Sequence, residues 1–202
     1  MSGFVASVAA ATPAPGGGTV AALAGALGAA LAQMVAGLTI GKKKYAAVES
    51  EMKQIALQAS ALVNELTALM KRDADAYTAV MAAYKLPGET ETDAASKKQA
   101  MTSALLGAAE VPLETARACV RVLEVAAAVA ARGNTNAVSD AGVAALLAEA
   151  ACRGAVYNVR INVSALEDKS KGAKLVEESK RLLDLASERV NAVTTMVERA
   201  IQ

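Results

Sequence analysis

Residues 19–40, TVAALAGALGAALAQMVAGLTI, run for 22 residues without a charge, and no other stretch restricts the possible folds of this chain as much. Leu23, Leu27, Leu31, Met34 and Leu38 recur at helical spacing as one stripe. Ala21, Gly25, Gly28 and Ala32 form a second face of small residues. Two apolar faces predict a central helix surrounded by others, some at very short interaxial distance. A membrane span of such length needs about 20 predominantly apolar residues. Here only eight are large aliphatics and no aromatic belt flanks them, which favours a buried helix over a transmembrane one.

The rest of the chain extends the helical pattern. Residues 3–10 read as a short leading helix, broken by the Pro/Gly segment 12–18, with Thr19 placed to cap the apolar helix. Residues 45–85 contain no proline or glycine and predict a helix of roughly 60 Å, which either bends or projects into a partner. LPGETETD at 86–93 is a turn with acids leading the next helix, where they suit its dipole. That helix, 94–131, contains Pro112, which should kink or divide it near Val111. After the loop RGNTNAVSD (132–140), helices over 141–166 and 174–201 complete the chain. Only 2% of residues are aromatic and 54% are apolar, mostly small, so no segment carries a strand pattern. The expected architecture is all-α: one domain over 1–202, with five long helices and one short N-terminal helix.

Composition also removes function classes. A net charge of +1 and one Phe, four Tyr and no Trp leave neither a basic field nor a stacking platform for nucleic acid. There is no histidine, so the commonest general base and the commonest metal ligand are absent, and any catalysis falls to carboxylates, lysines, tyrosines or backbone dipoles. No metal site is expected. Cys119 and Cys152 lie in helical patterns and read as buried thiols in a reducing compartment. The first residues lack an export signal, which makes the cytoplasm the expected location.

Five polar constellations remain. Gly16, Gly17 and Gly18 precede a helix, where free N–H groups bind electron-rich atoms; a tight entry turn needs the same residues. Lys42, Lys43 and Lys44 form either a solvated turn or a cationic mouth for a carboxylate-bearing ligand. Asp73 and Tyr77 share a face at i, i+4, while Asp75 points elsewhere. Asn134, Ser139 and Asp140 sit in GNTNAVSD, where Ser and Asp are also ordinary helix starts. Asn158 and Asn162 share one helix face, as interhelical hydrogen-bonding amides or as ligand contacts.

Taken in order, TPAPGGGTVAALAGALGAAL, LTIGKKKY, DADAYTAV, LP at 86–87, VPL at 111–113, GNTNAVSDAGVA and YNVRIN resemble the formiminotransferase-cyclodeaminase C-terminal family over residues 4–185. That family joins cyclodeaminase domains with stand-alone bacterial methenyltetrahydrofolate cyclohydrolases, and LTIGKKKY and SDAGVA look closer to the second branch. The resemblance implies an all-helical homodimer with a tetrahydrofolate substrate in a cleft near the subunit interface and no prosthetic group. It implies that the PAPGGGT, IGKKKY and GNTNAVSD loops converge on the folate. Carried onto this chain, it makes Asp73 the general base and Asp140 the orienting group, or the reverse. Gly16–Gly18, Tyr77, Asn134, Ser139 and Asn158 become substrate contacts, and Lys42–Lys44 partners of the folate glutamates. The implied reaction is hydrolysis of a methenyl bridge, with release of ammonia from a formimino group as the alternative.

Overall fold

A computed structural model describes residues 2–202, which are helical apart from the connecting segments, with no strand among them. The helices are α1 (Ser2–Ala9), α2 (Gly17–Thr39), α3 (Glu49–Tyr84), α4 (Glu91–Arg132), α5 (Val138–Ser164) and α6 (Ala173–Ile201). Short 3-10 turns precede α3, α5 and α6.

The small face of α2 organises the bundle. Ala21, Gly25, Gly28 and Ala32 are buried, and α2 packs antiparallel along α5 with its flanks on α3 and α4. A Cβ on Gly28 would lie 2.8 Å from the Ala144 carbonyl oxygen, and one on Gly154 3.5 Å from the Ala21 methyl. Without side chains between them, the two backbones close to a distance that larger residues forbid. At the far end of the same pair, the Asn134 N–H donates to Thr39 Oγ1 at 2.8 Å. Gly41, at φ 76°, then turns the chain out of α2 through a conformation that favours glycine.

The leucine stripe behaves otherwise. Leu27, Met34 and Leu38 are exposed and Leu23 and Leu31 half-buried, so α2 is enclosed on one side only. α5 continues this surface with exposed Val143, Leu146, Tyr157 and Ile161. With Val20, eight of the sixteen large exposed apolar side chains among the described residues fall on these two packed helices. α2 is long and apolar enough to cross a membrane, and half of its most apolar window is buried inside the bundle.

Two local expectations are corrected. The N-cap of α2 is Gly16, not Thr19, whose hydroxyl is engaged elsewhere. Of the two effects expected of Pro112, division does not occur: α4 runs for 42 residues through it, and Asn162 of the neighbouring α5 donates to the Ala108 carbonyl that the proline leaves without its helical donor. Ser139 and Asp140 lie inside the first turn of α5, one and two residues after its start. α3 spans 36 residues, about 54 Å at 1.5 Å per residue. Both thiols are fully buried, and burial pushes Cys152 up to about 12 and Cys119 well above its ordinary value.

Candidate active site

A cavity of about 370 Å³, lined by apolar side chains with a few convergent polar groups, lies where the start of α2 meets α3, α4 and α5. It brings together seven residues singled out from the sequence: Gly16, Gly17, Gly18, Asp73, Tyr77, Asn158 and Asn162. Asp73, on α3, is half-buried, and Thr19 Oγ1 donates to its Oδ2 at 2.8 Å. Thr19 is itself only 4% exposed, so this bond fixes the carboxylate from inside the bundle. The opposite oxygen occupies the space a side chain on residue 18 would need: a Cβ there would fall 2.2 Å from Asp73 Oδ1. That close approach is what the third glycine permits. The carboxylate therefore rests on the first turn of α2, at the positive end of its dipole. Asp75 is exposed and pairs with Lys71 across one helical turn, outside the cavity.

The α5 wall is built from Asn158 and Asn162. Asn158 Nδ2 donates to the Gly154 carbonyl at 2.9 Å. Asn162 Nδ2 donates to the Ala108 and Asn158 carbonyls, both at 2.9 Å. Among the described residues no donor reaches either side-chain carbonyl oxygen, and neither is sealed away from solvent. Asn162 and Thr19 are the contributors that motif reading undervalued. The signal for Asn162 was its position one turn beyond Asn158, and for Thr19 its place directly after the glycines.

The remaining expected site residues lie at the other end of α2. Gly17 and Thr39 are 22 residues apart, about 33 Å along the axis. Lys42, Lys43 and Lys44 are exposed there, beside Ser139 and Asp140 at the start of α5. Asn134 is 5% exposed, and its amide is occupied: Nδ2 donates to the Leu38 carbonyl and Oδ1 accepts from the Asn136 N–H. Through these two bonds it holds the loop. Tyr45 joins this end, its hydroxyl accepting from the Thr135 N–H at 3.0 Å. Hydrogen bonding from Thr135, aided by Lys44, lowers its pKa to about 8. Within one chain, then, the three loops form two separate groups, with Asp73 in one and Asp140 in the other. Among the described residues no three Cys, Asp or Glu side chains cluster closely enough to hold a metal ion.

A helical bundle whose glycine-opened helix seats a carboxylate in a largely apolar cavity, with amide oxygens on the facing wall, presents acceptors that suit positive charge or N–H donors. The chain belongs to the formiminotransferase-cyclodeaminase family, whose model matches residues 1–181. It is 43% identical to a methenyltetrahydrofolate cyclohydrolase of Methylorubrum extorquens, over 89% of this chain and 86% of that one. It is 37% identical to the formimidoyltransferase-cyclodeaminase of Mus musculus, over 83% of this chain but 31% of that longer one. In structure it is similar to a formiminotetrahydrofolate cyclodeaminase of Thermotoga maritima, with a TM-score of 0.87 and 32% identity, covering 98% and 96% of the two chains.

Proposed function

We propose that this protein hydrolyses 5,10-methenyltetrahydrofolate to 10-formyltetrahydrofolate, as a cytoplasmic homodimer without a prosthetic group, nucleic-acid partner or membrane association. The observation that carries the reading is the carboxylate of Asp73, held by Thr19 at the glycine start of α2 inside the cavity. The substrate's one-carbon bridge is an amidinium cation, and a fixed carboxylate beside it stabilises the charge before and during reaction. The same group accepts the proton of the attacking water as its oxygen bonds to the bridging carbon. The tetrahedral adduct then collapses: its hydroxyl loses a proton as the C=O forms, the bond from carbon to N5 breaks, and N5 is protonated. One proton is released overall, and the formyl group stays on N10.

The two-helix apolar face and the division of the polar loops support one assembly. The face is formed by α2 and α5 and lies between the two polar groups. A two-fold axis in its plane and perpendicular to α2 buries the face against a second copy and lays each helix antiparallel to its mate. That operation carries the Lys42–Lys44 and Ser139–Asp140 end of one subunit to the Asp73 cavity of the other. Asp140 of the partner subunit then orients substrate or water, and the partner's lysines pair with the glutamate carboxylates of the folate.

The alternative is cyclodeamination of 5-formiminotetrahydrofolate, in which N10 attacks the formimino carbon and ammonia leaves. The likeness to the Thermotoga protein favours keeping it, because a chain of similar extent bears that name. One absorbance assay separates them. Decay of added methenyltetrahydrofolate supports hydrolysis, its growth from the formimino compound supports deamination, and neither change rejects both. The assembly has its own test, in mixtures of inactive Asp73→Asn and Asp140→Asn proteins. If sites are shared, random exchange makes half the dimers mixed, each with one intact site, and about a quarter of wild-type activity returns. If each site lies within one chain, nothing returns.

A further inference from the structure

Pro112 and Asn162 are linked through the Ala108 carbonyl, a connection that neither residue's local sequence suggests. In a regular helix the N–H of residue 112 would donate to the carbonyl of Ala108. Proline has no N–H, so this carbonyl is orphaned on a residue that is itself buried. Asn162 reaches across from α5 and donates to it at 2.9 Å. The second N–H of the same amide donates to the Asn158 carbonyl, also at 2.9 Å. Both donors of Asn162 are therefore committed to backbone oxygens, and turning the amide over would set oxygen against oxygen twice. That leaves Oδ1, in the wall of the Asp73 cavity, without a donor among the described residues and open to solvent.

We propose that Asn162 Oδ1 is a specificity-determining acceptor that reads the N–H edge of the substrate's pterin ring, and that Pro112 is the positioning residue that aims it. The inference rests on the folate reading given above. The pterin's pyrimidine half carries two adjacent donor groups, the ring N3–H and the 2-amino group, and Asn162 can offer that edge only an acceptor. A ring that presents a lone pair at the same place meets Oδ1 as a repulsion, so the selection works by rejection as well as attraction. In a purely structural role, by contrast, Asn162 would answer the Ala108 carbonyl and leave ligand preference untouched.

The proline supplies the control that separates these roles. Asn162→Leu alone strands the Ala108 carbonyl and is expected to weaken folding. Pro112→Ala restores the helical N–H that answers this carbonyl, so the double variant Pro112→Ala/Asn162→Leu keeps the bundle intact. The measurement is binding of tetrahydrofolate against its 2-desamino analogue, in which hydrogen replaces the amino group. The wild type is expected to favour tetrahydrofolate about tenfold, the worth of one hydrogen bond, and the double variant to show a ratio near one. Pro112→Ala alone, with an amide now free to turn over, is expected to raise KM several-fold while kcat stays within twofold. Retained discrimination in a folded double variant overturns the assignment and leaves the folate reading standing. Failure of the wild type to bind tetrahydrofolate or its methenyl or formimino derivative overturns both.

Discussion

Replacing Gly18 by Ala tests the site more directly than deleting its carboxylate. The backbone at residue 18 is ordinary helix, with no positive φ, so alanine meets no conformational obstacle there. The obstacle is Asp73: the new methyl would stand 2.2 Å from Oδ1, 2.7 Å from Cγ and 2.8 Å from Oδ2. Real contacts essentially never fall below 3.0 Å, so the carboxylate must retreat by roughly 0.8 Å or more. All three atoms are too close, which means rotation about the last bond brings no relief and the side chain leaves its rotamer. The hydrogen bond from Thr19 to a charged acceptor, about 1.5–3 kcal/mol, is then lost or badly bent. Alanine's better helix propensity returns at most about 1 kcal/mol. The expected net destabilisation is about 1–2 kcal/mol, and a displacement of this size at a reacting group lowers kcat/KM about 100-fold. Urea midpoints and steady-state rates measure both. The decisive control is the same substitution in Asp73→Ala, where the three nearest atoms are gone and the change is expected to be neutral or stabilising. Wild-type rates in Gly18→Ala, or an equal loss of stability in the Asp73→Ala background, would refute the reasoning.

Three further outcomes are expected from the packing and the titrations. Gly28→Ala drives a methyl to within 2.8 Å of the Ala144 carbonyl, and overpacking of this kind is expected to lower stability by about 1–3 kcal/mol; a urea midpoint equal to wild type contradicts the close α2–α5 approach. Tyr45 is expected to ionise near pH 8, read from the tyrosinate absorbance that disappears in Tyr45→Phe, with the midpoint moving upward in Thr135→Ala. Its folded pKa lies below the unfolded value of 10.0, so it adds stability that is complete above 10.0 and vanishes as pH falls through about 8, and Tyr45→Phe removes that alkaline gain. Cys119 and Cys152, buried and held protonated, are expected to resist an aromatic disulfide reagent in the native protein at neutral pH and to react in denaturant; rapid native labelling would show that the α4–α5 packing opens.

The order and extent of the helices were legible because glycine, proline and acidic clusters punctuate a chain with an otherwise unbroken helical period. The side of each helix that meets protein was not. In α2 the sequence pattern gives the leucine stripe and the alanine–glycine face equal claim to burial. The bundle buries the small face, since only small side chains let two backbones approach, and a pattern of hydrophobicity alone does not weigh closeness. Pro112 shows the same limit: its missing donor predicts a break unless a second helix answers the stranded carbonyl, and that partner lies 50 residues further along. Asp73, Tyr77 and the glycines, singled out by type and motif, line one cavity. That Asp140 belongs to the opposite end of α2 was invisible, because ranking motifs by chemistry carries no information on which helix end receives them.

The antiparallel match between α2 and α5 also turns helix length into a gauge. Gly28 against Ala144 and Gly154 against Ala21 set two points of contact on one pair of rods. One inserted residue between them would rotate everything beyond it by about 100° and advance it about 1.5 Å, presenting a bulky side chain where a glycine had been. Variation in this protein is therefore free to lengthen its surface loops, whereas the span from Gly17 to Thr39 admits exchange of residues but not a change in their number.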